Sequence, residues 1–600
     1  MAYVRTLTVT CTLNKESAMA TIQPKTSHGH KYWYIVESRR VNGKPRPVVL
    51  AYLGKAEELL RRLAGLNTDA HIKSYSHGAV AALLRVAGEL EAPSIINKYV
   101  RASRESGAEK PVRHDLTAGA TLVLGAIGRV CMPTSKRGWW EWAKTTSCEY
   151  LLRAALSGVD SQHFWDLMDA VPVDSIENIE RELLERVRQR YGLAADTLFY
   201  DTTNFFTFIA TTNARCTIAQ RAKNKQKRHD LRQVGLALVV TREDQIPLFH
   251  LAYPGNSSDC KVFKGIVERI KQRMLALGLD LESHTLVFDR GNNSKSNMDL
   301  VAQASLHYVG ALTPYQHPAL LQRAEGHYGS VPIGDATLDV FRARHILWGM
   351  ERTLLVFVSD RLKAGQLRGI YAALKKAENA LAHLQKTINA PAQRSQTKQR
   401  IEARIVAIVN GQFVKDLVDW SLTEAKPGPW HLTFRVNQER LDELEKDLGF
   451  RILMTDRHDW PTAGIIQAFY GQAHVERAFK NLKNPYHLAV RPQFHWTDQK
   501  IAVHYFMCVL GYLMAAILLR EAKNKAGFTG SMDTLLDALN SIRLAACISQ
   551  TGKRGKPRVT YQLEQLDEPQ RHLAQALDIL DAHVHRPDLR DFSVYTPQRS

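Results

Sequence analysis

Disulfide and thiolate-metal chemistry are the first things this sequence lacks. It holds 7 cysteines in 600 residues, widely scattered, and none is spaced as Cys-x-x-Cys. An odd, dispersed set supports neither a disulfide framework nor a zinc site built on thiolates, and a reducing, cytoplasmic location is expected. Acidic residues are scarce beside basic ones, with 60 Asp and Glu against 80 Lys and Arg, a formal charge of +20. Such a surface suits a polyanionic partner, because Lys and Arg that neutralise phosphates release condensed counterions. Colloidal solubility is the plainer reading of the same charge. Repeats and low-complexity tracts are missing, and a hydrophobic share of 45% excludes wholesale disorder. Met1–Thr10 carries Arg5 but no sustained apolar core, so no secretion signal is expected there. Long apolar runs are limited to Ile501–Leu519, in which only His504 is plainly polar. That run has the length of a membrane span. Its flanks, Asp498, Lys500, Arg520, Glu521 and Lys523, read as ordinary helix ends, so a helix buried in a large domain is expected, with no membrane partner.

At ~150 residues per domain the length suggests roughly four structural units. Residues 1–66 begin with a β-hairpin unit, since two β-rich runs in 31–54 flank Asn42-Gly43, the dipeptide of a tight turn. A helix over about Lys55–Leu66 follows. Residues 67–192 turn helical, with three-to-four apolar spacing in His77–Leu90, Ala92–Ser103 and Ser175–Tyr191. Inside them, Lys136-Arg137-Gly138-Trp139-Trp140-Glu141-Trp142 reads either as a nucleic-acid surface or as a tryptophan core.

Residues 193–314 change character. Thr197–Phe208, Gln233–Val240 and Ile246–Tyr253 read as strands, Lys261–Leu277 as an amphipathic helix, and Thr285–Phe288 as a strand ending on Asp289. A helix over Ser294–Ala304 and a strand over Tyr308–Leu312 complete the run. Three antiparallel strands and then β-α-β units describe a mixed sheet of the RNase H-like kind. Residues 315–455 break the pattern and read as an inserted α+β module. It has strands at Thr337–Phe341, Thr353–Val358 and Trp430–Val436, a helix over Asp360–Lys386 stopped by Ala390-Pro391, and a second helix over Thr397–Asp419. In 456–525 the sheet domain resumes, helical character returning at Phe450–Met454 and Pro461–Lys483. Residues 526–600 form a helical, basic tail that includes Gly552–Arg558. The fold class expected is thus α/β: an RNase H-like mixed sheet with an α+β insertion, an N-terminal β-hairpin and helical region, and a C-terminal helical tail.

Asp201 follows Leu198-Phe199-Tyr200, and Asp289 follows Leu286-Val287-Phe288. An acid after an apolar strand run is commonly a turn or cap residue. Two on neighbouring strands can instead hold divalent cations, because Mg²⁺ takes a few hard carboxylate oxygens and leaves its other positions to water and phosphate. In Pro461–Lys483, read as one helix, Phe469, Gln472, Glu476 and Lys483 share a face, which aims Glu476 at the aspartates and Lys483 at a phosphate. The plainer reading is a surface helix with Glu476 and Lys480 as an i,i+4 pair.

These residues carry a resemblance. Strand–Asp201, strand–Asp289-Arg-Gly with Asn297 beyond it, and the helix YGQAHVERAFKNLKNP resemble a DDE transposase of bacterial insertion sequences, in the branch with a β-rich insertion before the catalytic glutamate. That branch's acid helix reads Tyr, two residues, Arg, three residues, Glu, six residues, Lys. Phe469 stands here at the Tyr position and Gln472 at the Arg position, while Glu476 and Lys483 are in register, and Tyr470 is placed to take the aromatic contact. The buried helix that follows and the N-terminal hairpin ending in Leu53-Gly54 resemble the same family. The resemblance implies Asp201, Asp289 and Glu476 as catalytic and metal-binding acids holding two Mg²⁺ ions, with Mn²⁺ as a substitute. It further implies cleavage of transposon ends, attack of the freed 3′-hydroxyl on target DNA, a hairpin on the transposon end, and synapsis of two terminal inverted repeats by a homodimer. Residues 67–192 then become the candidate region for binding DNA ends, and the 187 residues between Asp289 and Glu476 leave room for the insertion.

The candidate DNA contacts are Lys483, Gln472, Tyr470 and Arg477 on the acid helix, with Lys223, Lys225, Lys227 and Arg228 in the basic run between the first two strands. A solvated loop is the plainer reading of that run. Rival chemistries are an RNase H-fold nuclease without strand transfer, a catalytically inactive DNA-binding protein, and a tyrosine recombinase. The last is suggested by His474-x-x-Arg477 followed by Tyr505, but it needs a nucleophilic tyrosine beside several cations, and Tyr505 falls in the most apolar run of the chain.

Overall fold

The structure, a computed structural model, describes residues 20–27, 30–41, 44–57, 71–100, 114, 116–224, 227–388, 397–411, 413–424, 430–549 and 558–586. Met1–Thr10, the Asn42-Gly43 turn, the expected helix beyond residue 57, Lys225, the Ala390-Pro391 stop and the basic stretch Gly552–Pro557 lie outside the described residues. The chain divides into two compact units, one of residues 1–77 and 542–567, the other of 78–541 and 568–600.

The first unit is built from antiparallel sheets. β1 (Ala20–Ser27), β2 (His30–Val41) and β3 (Lys44–Lys55) form a meander in which Val41 pairs with Lys44, the register a tight hairpin needs. β4 (His71–Ser76) pairs with strands from the far end of the chain.

In the second unit, helix α1 (Ala118–Cys131) is buried along its whole length. Trp139 and Trp142 are buried against Gly128 of this helix, and the Trp139 indole donates to the Leu124 carbonyl at 3.1 Å. The tryptophan run is core. Beyond it, β5 (Thr197–Thr207), β6 (Arg232–Thr241) and β7 (Pro247–Pro254) run antiparallel. Helix α2 (Asp259–Ala276) buries Phe263, Ile266, Val267 and Ile270, which its three-to-four spacing places on one face. β8 (Thr285–Phe288) and β9 (His307–Leu312) then join parallel to β5. This is the mixed sheet expected. β6 and β8 read as unbroken apolar runs because they are buried on both faces.

The sheet does not stop at β9. β10 (Gly329–Ile333), β11 (Ala336–Leu347) and β12 (Met350–Val358) extend it, and so does β15 (Phe450–Thr455), pairing antiparallel with both β9 and β12. Nine strands result, in the order β10-β11-β12-β15-β9-β8-β5-β6-β7. Phe450–Met454 is therefore a strand and not helical, since a short apolar run carries no period that separates the two. The insertion proper lies between β12 and β15. Helix α3 (Asp360–Ile388), helix Lys398–Val409, the hairpin β13 (Val418–Glu424) and β14 (Trp430–Val436), and helix Gln438–Lys446 close around their own core of residues such as Leu374, Leu381, Ile405 and Leu432. The helix expected over Thr397–Asp419 ends at Val409, and its last residues enter β13 instead. Leu381→Ala should cost this module about 2–5 kcal/mol, because Leu381 is fully buried and the cavity cannot be refilled. Urea unfolding followed through Trp420 and Trp430, which pack on that core, measures it.

Pro461–Lys483 forms two helices, α4 (Thr462–Tyr470) and α5 (Ala473–Lys483), with the chain breaking at Gly471 and Gln472. Helix α6 (Asp498–Ala526) carries the long apolar run, starts at a Thr497 side-chain cap and stops at Gly527 in the left-handed region. Among the described residues it alone is long and apolar enough to cross a membrane, and its apolar stretch is entirely enclosed by the fold. Residues 526–600 contain helices Met532–Asn540 and Glu568–Ala576, but also β16 (Arg543–Ser549) and β17 (Arg558–Leu563), which join β4 in the order β17-β16-β4.

Candidate active site

The side chains of a strand alternate between faces, so Phe199, Asp201, Thr203 and Phe205 of β5 point the same way. Helix α5 lies over that face. Its His474 ring stacks on Phe199 at 5.4 Å between centroids, while Lys483 donates to the Thr203 hydroxyl and holds its ammonium 5.6 Å from the Phe205 ring. Glu476 falls between these anchors and lines a cavity of about 960 Å³ together with Asp201 and Lys483.

Asp289 arrives by register. Tyr200 pairs with Phe288 across the parallel strands β5 and β8, so Asp201, within β5, and Asp289, the first residue past the end of β8, follow paired positions on neighbouring strands, which lie about 4.8 Å apart. The loop after Asp289 is fixed by Asn297, which is buried and donates to the carbonyls of Asn292 at 2.8 Å and Cys260 at 3.2 Å. Asp289 and Glu476 line a second cavity, of about 720 Å³, with Arg290, Arg361, Arg451 and Tyr470. Glu476 thus borders both cavities, facing Asp201 in one and Asp289 in the other.

A fourth acid joins them. Asp259, the first residue of α2, accepts from the Thr202 hydroxyl at 2.8 Å and adds to the negative charge around Asp201. Burial above all, opposed by a bond from the Thr202 amide and reinforced by the charges of Asp289, Asp259 and Glu476, pushes the Asp201 carboxyl up to about 7. In metal-free buffer, Asp201→Asn should therefore melt above the wild type at pH 7 but not at pH 4. The folded carboxyl keeps its proton up to about pH 7, whereas the unfolded chain releases it near 3.9, roughly the free aspartate value. Stability present at low pH is lost as pH rises through that window. A melting difference that is the same at both pH values would show that the crowding is absent.

Among the described residues, no three His, Cys, Asp or Glu side chains gather tightly enough to enclose a single ion. Mg²⁺ is held by one or two carboxylates, its other positions going to water and substrate phosphates, so this set of hard oxygens fits a divalent cation.

The other expected residues are placed unevenly. Tyr470 and Gln472 line the second cavity, Tyr470 at 42% exposure. Phe469 is buried in α4, on the other side of the Gly471 break from Glu476 and beneath the Arg451 guanidinium at 5.5 Å, and it lines the second cavity together with Glu476. Arg477 is exposed and stands with Arg242 and Lys523 around His474; burial and these three cations hold that imidazole below its ordinary value. Lys223, Lys227 and Arg228 are exposed between β5 and β6 and line neither cavity, and Arg228 pairs with Asp230 at 2.7 Å. Tyr505 is fully buried, edge-on to Phe205 at 5.7 Å, which withdraws it from any role as a surface nucleophile.

Asp259, Arg361 and Arg451 were not legible as site residues. Asp259 reads as an ordinary first-turn acid, and the two arginines flank the insertion, far from the acids in sequence. No local spacing marks them.

Comparisons with known proteins give the chain a family. Residues 20–78 match the family model of the IS1634 family transposase N-terminal domain, and residues 206–493 match that of the transposase DDE domain. The second match spans Asp289 and Glu476 and begins shortly after Asp201. A comparison with curated proteins gives no match. Among solved structures the chain is similar to a cryo-EM structure of a piggyBac transposase synaptic complex with hairpin DNA, at 10% identity and a TM-score of 0.40, over 76% of this chain and 79% of that one. The two family models together cover more than half of the 600 residues, and they place this chain among the DDE transposases of insertion sequences, as a DNA transposase.

Proposed function

We propose that Asp201, Asp289 and Glu476 are the catalytic acids with which this transposase cleaves transposon ends and joins the freed 3′-hydroxyl to target DNA. DNA binding and dependence on a divalent metal come with the family; which residues serve them is our reading. The observation that carries it is that Glu476 borders two cavities, one shared with Asp201 and the other with Asp289. Two Mg²⁺ ions held by these acids, or Mn²⁺ in their place, would stabilise the entering and leaving oxygens of phosphodiester exchange.

The chain's own residues do the rest. Asp201, crowded by Asp289, Asp259 and Glu476, keeps its carboxylate form at neutral pH only where positive charge offsets that crowding. Lys483, anchored on Thr203 and Phe205, presents its charge to the DNA backbone at the first cavity. Arg290, Arg361 and Arg451 supply the same at the second, where Tyr470 offers an exposed ring for a base and Gln472 a polar contact. Arg477, Lys223, Lys225, Lys227 and Arg228 take more distant stretches of duplex. Transposition proceeds without a covalent protein–DNA intermediate, in keeping with the burial of Tyr505. A homodimer brings the two terminal inverted repeats together in the cytoplasm.

Purified protein, DNA carrying the element's own ends, and Mg²⁺ test this. Cleavage followed by joining to a target plasmid is expected, and chelator should abolish both. Cleavage that persists in excess chelator overturns the assignment.

A further inference from the structure

Away from the acids, the second unit exposes rings that its core does not use. Phe208, Phe494 and Trp496 are 72%, 66% and 62% exposed, and all three line one cleft of about 620 Å³, with Arg215 beside them. Single exposed aromatics are ordinary, but three converging on a cleft mark a binding surface. The backbone that carries them is clamped. Arg129 of α1 donates to the carbonyls of Ala489 at 2.9 Å and Arg491 at 2.6 Å, His504 bonds the Val490 carbonyl at 2.8 Å, and the Asn213 amide donates to the Trp496 carbonyl at 2.9 Å.

Phe494 also walls a neighbouring cavity of about 360 Å³, lined by Lys136, Arg137, His495 and His504. Lys136 is buried, with its Nζ 3.4 Å from His504 Nδ1 and 5.7 Å from the Phe164 ring centre. Among the described residues no carboxylate pairs with it, although a buried ammonium ordinarily has an acid partner. Burial, reinforced by Arg129, holds its pKa down to about 7. A phosphate would supply the missing negative charge, and a planar base would fill the aromatic cleft. Phe494 joins the two sites.

We propose that these adjoining cavities bind one unpaired nucleotide of a DNA strand, its base among Phe208, Phe494 and Trp496 and its phosphate at Lys136 and Arg137. The inference rests on the chain's being a DNA transposase, and not on the assignment of the three acids. Aromatic stacking accepts any base, because every base has a π-face, but only where pairing does not hide it.

The test uses full-length protein in chelator with two fluorescein-labelled probes, a short oligothymidylate and a blunt duplex, read by anisotropy. Phe494→Ala combined with Trp496→Ala should weaken oligothymidylate binding roughly tenfold or more while sparing the duplex. Trp496→Phe, which keeps a ring, should bind as the wild type does. Lys136→Gln should also lose oligothymidylate affinity. If it fails to fold, the exposed aromatic pair decides the matter alone. Equal affinity of the aromatic double variant and the wild type for oligothymidylate overturns the proposal, as does an equal loss for both probes. Because no cleavage occurs in chelator, a wrong assignment of the acids would leave this result standing.

Discussion

Asp201→Ala is expected to lower end cleavage by roughly 10³-fold or more, equivalent to ~4 kcal/mol of transition-state stabilisation, with duplex binding retained. Asp201 sits where the charges of three other acids meet, on a strand whose position is fixed by pairing on both sides. Removing it takes away a carboxylate that Asp289, Asp259 and Glu476 all act upon. Glu476→Gln should lose activity to a similar extent, since Glu476 borders both cavities. Asp259→Asn should be milder, as that residue reaches the site through the Thr202 hydroxyl. Single-turnover cleavage of end-containing DNA measures all three. If Asp201→Ala cleaves normally while Tyr505→Phe is inactive, the metal mechanism is wrong and a buried tyrosine has become accessible.

Gly471→Ala should damage the site through a single added methyl. A Cβ at 471 would stand 2.3 Å from the Phe199 ring edge and 3.0 Å from the Ala468 carbonyl. Phe199 is fully buried under His474 and cannot swing away, so α5 must shift outward. Overpacking of this kind costs about 1–3 kcal/mol of stability. Displacing Glu476 by about 1 Å would cost on the order of 10²-fold in cleavage. Phe199→Leu in the same chain should restore part of that activity by vacating the space the new methyl needs. An unchanged cleavage rate in Gly471→Ala would mean that α5 is not held by Phe199.

The Gly471 break shows where local pattern stopped being informative. Phe469, Gln472, Glu476 and Lys483 have the spacing of one helical face, yet Phe469 is buried in α4 and only Glu476 and Lys483 remain on α5. Nothing local reveals that Phe199, 272 positions earlier, closes against the chain at Gly471 and turns it. The first five strands of the mixed sheet were legible because their alternating or unbroken apolar runs follow directly from which faces are covered, as Thr285–Phe288 shows. Phe450–Thr455 looks much the same in isolation, but its partners, β9 and β12, lie on either side of it in space and far from it in sequence.

From the sequence by itself came the charge that favours DNA, the apolar strand runs that precede Asp201 and Asp289, and the register of Glu476 with Lys483. These depend on composition and on short periods, which neighbouring residues enforce. The tertiary structure decided the rest: the nine-strand order, the placing of Glu476 on two cavities, one lined also by Asp201 and the other by Asp289, and the recruitment of Asp259, Arg361 and Arg451. Strand pairing and helix packing bring together groups hundreds of residues apart, and no local period encodes which of them will meet.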